Sequence, residues 1–419
     1  MSFYYKKNYL HCERLKVKAI QKRVPESPFY LYSLAQLTDN YQAYASALQG
    51  VPSIISYAFK ANSNLTLLRH LRELGSGAVL VSGNELELAL TAGFDPAAIV
   101  FNGNGKTMPE LRLAAGHGVL INVDSEFDLG HIEQAAVSAG KPVRVLIRIN
   151  PDLDPGVHPH VSTGIRDSKF GIGSKHLPRV LDRIKASRFV DLVGVQCHLG
   201  STIKDVEVFR DATALMMKVL EDVRQRGFDA KYLNIGGGLG IDYGGQQRMP
   251  KPSDLVECVR QVLSDDVTVI VEPGRSIVGS AGILVSRVIG VKSNGNKQFI
   301  VTDASMAELI RPSLYEAYHR IEFIEPVDGP RDTFDVVGPV CESGDFLGRD
   351  RELATPGEDA GVAIHDAGAY GYAMSSNYNA RLRPAEYLVD GDRLTRIRRA
   401  ERLEDYMRLF EAGDRTAGE

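Results

Sequence analysis

Val267-Thr268-Val269-Ile270-Val271-Glu272 is the last of eight short β-rich runs between about residues 50 and 282. The seven that precede it are Ser53–Phe59, Ala78–Val81, Ala98–Phe101, Gly118–Val123, Val143–Asn150, Asp191–Cys197 and Lys231–Ile235. Amphipathic segments with apolar residues three or four apart lie between them, such as Leu65–Leu74, Glu85–Ala92, Glu126–Ala139 and Val206–Arg226. This alternation predicts an α/β fold in which a parallel sheet closes into a (β/α)8 TIM-like barrel. A doubly wound open sheet is the alternative, and the count of eight favours closure.

The pattern changes after about Ile283. Helical periodicity is then confined mainly to Met306–Tyr318, while turn-rich segments join β-type runs at Ile283–Val291, Lys297–Thr302, Phe334–Val340 and Gly361–His365. An earlier run, Phe29–Ser33, is suited to joining them. We therefore predict a barrel over residues 35–282 and a second, mainly antiparallel β domain built from residues 1–34 and 283–419.

Composition excludes several classes of function. The chain has 419 residues, 44% hydrophobic and 24% charged, with a formal net charge of −4 and no long basic run, so nucleic acid and anionic membrane are not expected partners. The N-terminus has no signal-peptide pattern and no apolar stretch is long enough to span a bilayer, which predicts the cytoplasm or, for a processed form, the plastid stroma. Four widely spaced cysteines and the isolated pair His158 and His160 do not predict a metal site.

Chemistry is expected where the barrel strands end, because barrel active sites lie at the carboxyl ends of the strands. Lys60 follows the first run, His198 the sixth, the turn Gly236–Gly240 the seventh, and Glu272 ends the eighth. The glycine turn suits a single phosphate approached by backbone N–H groups, but it fails the dinucleotide pattern because Ile241 occupies the last glycine position. The long loop Pro151–Gly173 is a further candidate functional segment.

Each of these residues also has a purely structural interpretation. Lys60 is expected to be buried by its neighbours, which would favour a neutral amine, but a lysine at a barrel rim can also extend into water. Glu272 would need a proton or a cation as partner if buried, and a salt bridge to Lys or Arg competes with a protonated pyridine nitrogen. His198 is suited to stacking on a cofactor ring or to packing in the core.

Taken together, six ordered motifs resemble the fold type III pyridoxal-phosphate (PLP) decarboxylases over nearly the whole chain. They are Tyr57–Asn62, His198–Ser201, Gly236–Gly240, Glu272–Arg275, Gly338–Ser343 and Asp366–Tyr370. Within that family the chain is similar to the plant-type branch of the diaminopimelate decarboxylases. The resemblance implies decarboxylation of meso-2,6-diaminopimelate at its D centre, giving L-lysine and CO2 through a PLP Schiff base.

The resemblance also implies roles for individual residues. Lys60 would carry the Schiff base, His198 would stack on the ring and Glu272 would hold the pyridine nitrogen. The phosphate side would be surrounded by Ser201, Gly236, Gly237, Gly238, Gly274 and Arg275. Family members are homodimers with shared active sites, so Cys341, Glu342 and Tyr370 would reach the cofactor from the partner chain. Cys341 would be the acid that protonates the substrate carbon after CO2 leaves.

A second amino-acid head distinguishes diaminopimelate from other basic substrates. The stretch Ala307–Tyr315 resembles the segment that supplies Arg311 and Tyr315 for the distal carboxylate, where Arg275 would join them. Glu342 would take the distal ammonium, and Tyr370 would also contact substrate. Without the resemblance, Arg311 is interpreted as a cap on the C-terminal side of a surface helix.

One segment departs from the family pattern. Val79 stands where many relatives carry an acid, and Asn84 replaces a glycine, which leaves open what else near Lys60 tunes it. A PLP-dependent racemase on a similar barrel and a non-catalytic homologue are competing hypotheses. The chain retains the lysine and the glycine turn that non-catalytic homologues usually lose.

Overall fold

The computed structural model describes residues 2–153, 169–244 and 249–410. They form two compact units: residues 2–37, 243–244 and 279–410 make up one, and residues 38–153, 169–242 and 249–278 the other. The domain limits predicted from the sequence, residues 35 and 282, remain a prediction. Most of the loop Pro151–Gly173, including His158 and His160, lies outside the described residues.

The chain begins with a small antiparallel sheet of three strands, β1 (Phe3–Lys6), β2 (Tyr9–Cys12) and β3 (Leu15–Lys16). Helix α1 (Val17–Arg23), strand β4 (Phe29–Ser33) and helix α2 (Leu34–Ala47) follow. All five residues of β4 are buried, so both faces of the sheet are covered at this strand.

Eight parallel strands close into a barrel. They are β5 (Ser53–Ala58), β6 (Gly77–Leu80), β7 (Ile99–Phe101), β8 (Leu120–Val123), β9 (Val143–Arg148), β10 (Val190–Gln196), β11 (Tyr232–Asn234) and β12 (Thr268–Val271). The ring closes where β12 pairs with β5, with Val269 opposite Ser53. All eight predicted strands are present, the α/β barrel prediction is confirmed, and the open-sheet alternative is wrong.

The barrel is filled by one apolar layer to which every strand contributes. Its members are Ile54, Ala58, Val79, Val100, Leu120, Leu146, Val193, Tyr232 and Ile270. Val79, which stands where many relatives carry an acid, is 5% exposed and belongs to this layer. In this chain the position is therefore used for packing, since a carboxylate there would need a partner within an apolar layer.

The helices connected to these strands are α3 (Leu65–Glu73), α4 (Gly83–Ala92), α5 (Met108–His117), α6 (Glu126–Ala139), α7 (Leu177–Ala186), α8 (Glu207–Gln225), α9 (Pro252–Arg260) and α10 (Arg275–Val278). Side-chain caps fix several of their beginnings: Ser82 accepts from the N–H of Glu85, and Ser125 from that of Asp128. Since the strands are parallel, their carboxyl ends share one rim, from which these helices depart. Among the described residues, no helix combines the length and apolarity needed to cross a membrane.

The rest of the chain contains β13 (Gly282–Asn294), β14 (Lys297–Thr302), α11 (Arg311–Tyr315), β15 (Ile321–Phe323), β16 (Arg331–Val337), β17 (Phe346–Ala354), β18 (Gly361–Ile364), β19 (Ala385–Asp390), β20 (Arg393–Arg398) and α12 (Leu403–Met407). The sheet runs in the order β17-β16-β14-β13-β4-β19-β20, and β18 pairs with β13 and β15. Its pairs are antiparallel except β14 with β16 and β4 with β19. A second, mainly antiparallel sheet is thus confirmed, and Phe29–Ser33 lies within it.

The predicted helix Met306–Tyr318 is wrong for most of its length. Helix α11 spans only Arg311–Tyr315 and ends at Glu316, whose φ is +52°. Ahead of it, the carboxylate of Glu308 accepts from the N–H and the hydroxyl of Ser305, and the backbone is held in turns instead. Pro312 then suits the first turn of a new helix, because the N–H that it lacks has no partner there in any helix.

Candidate active site

Lys60 lies in a short 3-10 turn, Phe59–Ala61, directly after β5. Phe59 and Ala61 are fully buried, but Lys60 is exposed, so the predicted burial of this lysine by its neighbours is wrong. The reason is geometric: successive residues of a tight turn point in different directions, and the two flanking side chains occupy the core. Its ammonium influences the ionisation of His198 and of Glu85.

Glu272 follows β12 and is 8% exposed. Its Oε1 accepts two hydrogen bonds, from Asn102 Nδ2 at 2.9 Å and from Asn234 Nδ2 at 2.7 Å. Glu272 makes no salt bridge to Lys or Arg within the part of the chain that the structure describes, so the competing salt-bridge interpretation is not supported. Two neutral amides therefore stabilise the carboxylate by donating to it, in place of a salt bridge.

The orientation of both amides is fixed by hydrogen bonds to their Oδ1 atoms. Asn234 Oδ1 accepts from the N–H of Gly236 at 2.9 Å, so its Nδ2 must face Glu272. Asn102 Oδ1 accepts from Asn122 Nδ2 at 2.7 Å, which turns the Nδ2 of Asn102 to the same carboxylate oxygen. Asn122 through Asn102, and Gly236 through Asn234, therefore direct two amide donors to Glu272. Its Oε2 makes no hydrogen bond among the described residues.

His198 follows β10 in the same rim. Its Nδ1 accepts from the backbone N–H of Gly237 at 3.3 Å, which requires that this nitrogen carry no proton. Burial, and after it the ammonium of Lys60, lower the pKa of His198 well below its ordinary value. The imidazole is thus neutral, as suits a ring that stacks on another ring. Its neighbour Cys197 is an unreactive core residue, because burial raises the pKa of the thiol to about 12.

The turn Gly236–Gly240 requires glycine because backbones meet there. A Cβ at Gly237 would lie 2.1 Å from the carbonyl oxygen of Glu272, and one at Gly238 would lie 2.2 Å from that of Gly200. Gly236 and Gly238 also have positive φ values, +70° and +115°. The turn is therefore pressed against the loops that carry His198 and Glu272, and the backbone N–H of Gly237 lies beside the imidazole of His198.

Ser201 and Arg275 form a pair at the same rim. Ser201 Oγ accepts from Arg275 Nε at 3.3 Å and from its NH2 at 3.0 Å. Arg275 is 7% exposed and begins α10 directly after Gly274, where a Cβ would lie 3.0 Å from the side chains of Ala58 and Ala61. A hydroxyl and a guanidinium next to a glycine-rich backbone suit an anion such as phosphate.

Two buried ion pairs stand beside this network. Lys106 Nζ lies 2.7 Å from Asp128 Oδ2, with each side chain 1% exposed, and Arg148 lies 3.4 Å from Asp124. Lys106 is thus a structural cation. Burial raises the pKa of Asp128, and Lys106 opposes that rise.

The remaining predicted residues lie in the other compact unit. Arg311 is 3% exposed at the start of α11, so the surface-cap interpretation is wrong; a cation at a helix N-terminus also opposes the helix dipole. Tyr315 and Tyr370 are half-buried, whereas Cys341 and Glu342 are exposed.

Hydrogen bonds tie the loop that carries Cys341 and Glu342 to the segment around α11. Asp345 accepts from the N–H of Met306 and from that of Val340, both at 2.7 Å. Ser313 Oγ donates to the carbonyl oxygen of Gly344 at 2.6 Å. Within this unit, the loop of Cys341 and Glu342 and the segment around α11 are therefore joined into one local structure.

Sequence reasoning missed three residues of the barrel rim. Asn102 and Asn234, which hold Glu272, are single polar residues at strand ends, and this position was the available signal. Glu85 at the start of α4 is the acid near Lys60; burial raises its pKa, and Lys60 opposes the rise. Ser82 and Glu85 resemble an ordinary helix cap in the sequence, which hides any second role.

The barrel residues fit pyridoxal phosphate. The carboxylate of Glu272 is held through Oε1, whereas its Oε2 makes no hydrogen bond among the described residues. Such a carboxylate suits the N–H of a protonated pyridine ring. A neutral imidazole suits its face, the Ser201–Arg275 pair with the glycine backbone suits its phosphate, and the exposed amine of Lys60 suits its aldehyde.

Comparisons with known proteins agree with this geometry. Residues 34–279 match the family model described as "Pyridoxal-dependent decarboxylase, pyridoxal binding domain". The chain is 57% identical to a probable chloroplastic diaminopimelate decarboxylase of Oryza sativa subsp. japonica, over 96% of this chain and 83% of the relative, and 41% identical to the Pseudomonas aeruginosa diaminopimelate decarboxylase, over 96% and 97%. The Helicobacter pylori diaminopimelate decarboxylase complexed with L-lysine superposes with a TM-score of 0.90 at 38% identity, covering 94% of this chain and 98% of that one. A barrel rim suited to pyridoxal phosphate and likeness of this extent lead to one conclusion: the chain belongs to the diaminopimelate decarboxylases of the pyridoxal-dependent decarboxylase family.

Proposed function

We propose that this protein is a PLP-dependent lyase that removes CO2 from the D centre of meso-2,6-diaminopimelate and releases L-lysine. The observation that carries the reaction type is the carboxylate of Glu272, fixed by Asn102 and Asn234 at the rim that also holds Lys60 and His198. The substrate follows from the family, whose members match nearly the whole chain.

The cofactor side is assigned to the barrel. Lys60 would bind the aldehyde carbon, His198 would cover one ring face and Glu272 would hold the protonated ring nitrogen. The phosphate would be bound by Ser201, Gly236, Gly237, Gly238, Gly274 and Arg275. Pyridoxal phosphate, when bound, supplies the electron sink for the pair of electrons left by departing CO2.

The substrate side is assigned mainly to the other unit. Arg311 and Tyr315, with Arg275, would bind the distal carboxylate, since guanidinium groups match carboxylates in a bidentate manner. Glu342 would accept the distal ammonium, and Tyr370 would contact both cofactor and substrate.

Cys341 is the proposed proton donor. When the Cα–carboxylate bond breaks, CO2 leaves and the carbon gains a proton from the Cys341 thiol, which is later reprotonated from water. A thiol that delivers a proton has to be accessible, and Cys341 is the exposed one of the four cysteines. Its backbone N–H is held by Asn379 Oδ1 at 2.7 Å, which fixes the main chain behind the thiol.

We further propose a homodimer in which Cys341, Glu342 and Tyr370 complete the partner's site. The exposure of Cys341 and Glu342 within this chain supports it. Mixing inactive Lys60→Ala with inactive Cys341→Ala should restore up to about a quarter of the activity, because half of the sites in each mixed dimer would be intact. No recovery after subunit exchange would assign both residues to the same chain. The proposed compartment is the cytoplasm, or the plastid stroma as for the rice relative.

The substrate assignment is tested with stereoisomers. Purified protein with PLP should release one CO2 and form one L-lysine per meso-diaminopimelate, whereas LL-diaminopimelate, which lacks a D centre, should release none. Ornithine and arginine serve as the controls for other basic substrates. CO2 from either of these but not from meso-diaminopimelate would contradict the proposal.

A further inference from the structure

A compact cluster surrounds Arg311 within its own structural unit. Arg311 NH1 lies 2.7 Å from Nε2 of His319, and the guanidinium carbon lies 4.7 Å from the ring centroid of Tyr243. The rings of Tyr243 and His319 meet edge to face, 5.1 Å apart. The guanidinium is thus in contact with an imidazole edge and a phenol face.

The hydrogen bonds of His319 determine its tautomer. Nδ1 lies 2.8 Å from the carbonyl oxygen of His365, an atom that can only accept, so Nδ1 carries the proton. Nε2 faces a guanidinium N–H, which can only donate, so Nε2 must carry a lone pair. In this arrangement His319 is neutral and acts as an acceptor for Arg311.

Burial makes this arrangement rigid. His319 is 0% exposed and Arg311 is 3% exposed, so neither side chain can exchange its partner for water without a local rearrangement. An arginine normally loses much rotational freedom when it binds an anion, and a guanidinium held in advance avoids that loss.

We propose that His319 is a positioning residue for substrate recognition. It accepts from Arg311 and thereby orients the guanidinium toward the carboxylate at the distal end of the substrate, while Tyr243 supports the guanidinium plane. This inference rests on the proposed function, which assigns Arg311 to that carboxylate. Neither His319 nor Tyr243 is expected to contact the reacting carbon.

The chemistry of substrate and product provides a selective probe. Decarboxylation at the D centre leaves the distal amino-acid head intact, so L-lysine still carries the carboxylate that Arg311 would bind. The diamine 1,5-diaminopentane has the same carbon chain and both amines but no carboxylate. A change in Ki for L-lysine without a change in Ki for 1,5-diaminopentane therefore reports a loss of carboxylate binding, since the two compounds share the carbon chain and the amines.

The decisive variants are His319→Phe, which keeps a ring but removes the acceptor, and His319→Gln, which can keep an acceptor near Nε2. In the PLP-loaded enzyme, His319→Phe should raise KM for diaminopimelate and Ki for L-lysine about ten-fold, the loss expected for one hydrogen bond to a charged group. Its kcat and its Ki for 1,5-diaminopentane should stay within about two-fold of wild type, and His319→Gln should recover most of the difference.

Two controls separate positioning from general stability. His70→Phe removes an imidazole outside this cluster, one whose Nε2 lies 2.8 Å from Oγ1 of Thr38, and it should leave Ki for L-lysine unchanged. In an Arg311→Ala background, adding His319→Phe should have no further effect on that Ki. Should His319→Phe fail to fold, Tyr243→Leu is the second variant, with an expected rise of Ki for L-lysine and not for the diamine.

Three results would overturn the inference. An unchanged Ki for L-lysine in His319→Phe, with a raised Ki in Arg311→Ala, would refute the role of His319 and leave the proposed function intact. Equal losses for L-lysine and 1,5-diaminopentane would show a general structural role. An unchanged Ki in Arg311→Ala would remove Arg311 from the carboxylate site, and this inference would fall with that assignment.

Discussion

Replacing Asn234 with aspartate would place a second carboxylate against Glu272. In the native protein Asn234 Nδ2 lies 2.7 Å from Glu272 Oε1, and the substitution exchanges that donor for an oxygen of almost the same size. Two oxygens at this distance require a shared proton, as in other carboxyl pairs. We therefore expect Asn234→Asp to fold with one proton bound between the two carboxyl groups.

The magnitude follows from the geometry. Two charges about 4 Å apart repel by about 4 kcal/mol at an effective dielectric constant of about 20. That repulsion raises the pKa of the pair well above the ordinary carboxyl value. In the unfolded chain both groups titrate near pH 4. Above about pH 4 the folded variant therefore binds one proton more than the unfolded chain, and its stability falls by up to about 1.4 kcal/mol per pH unit as the pH rises toward the raised pKa.

Urea unfolding at pH 5, 6 and 7, without added cofactor, measures this dependence. Relative to wild type, Asn234→Asp should regain up to about 2.7 kcal/mol between pH 7 and pH 5. Asn234→Leu is the matched control: it loses the bonds to Glu272 and to Gly236, and it should be destabilised by about 2–4 kcal/mol at every pH. A pH-independent difference for Asn234→Asp would show that the two side chains are not in contact.

Other substitutions test the buried pairs and the assigned roles. Lys106→Met leaves Asp128 buried without its cation and should lower the free energy of unfolding by about 3–5 kcal/mol, as measured in urea. Adding Asp128→Leu should recover most of that loss, because no unpaired charge then remains buried. An equal loss in the single and the double variant would refute the pairing. Cys341→Ala should keep its affinity for diaminopimelate but lose kcat by about 10²-fold or more, so near-normal turnover would exclude the thiol as proton donor. Ser201→Ala removes the acceptor of Arg275 and should raise the dissociation constant for PLP about ten-fold in equilibrium titration, and an unchanged constant would separate this pair from the phosphate.

The barrel could be predicted because its signal is local and repeated. Each strand is a short apolar run, and every strand contributes at least one side chain to the apolar interior of the barrel. The helix predicted at Met306–Tyr318 was too long, because a contact that is absent from the sequence pattern limits it. Apolar spacing there suits a helix, but Glu308 is engaged by Ser305, a contact that sequence periodicity does not contain.

The candidate site was predictable only in part. Lys60, His198, Glu272 and the glycine turn follow successive strands, and parallel strands bring their carboxyl ends to one rim. The exposure of Lys60 was not predictable, because it depends on which neighbours of a tight turn fill the core. Nor could the hydrogen bonds to Glu272 be read from the chain, since Asn102 and Asn234 are separated from it by 170 and 38 positions.

The sequence by itself determined the eight-stranded barrel, the family and the residue types that its chemistry needs, since periodicity and ordered motifs depend on near neighbours in the chain. The tertiary structure decided how those groups are held: which oxygen of Glu272 is occupied, why the turn must be glycine, and why His319 accepts from Arg311. Such properties depend on donor and acceptor directions across several strands and loops. Directions of that kind become fixed only when distant segments are packed together, because an isolated amide or imidazole can present either of its polar atoms.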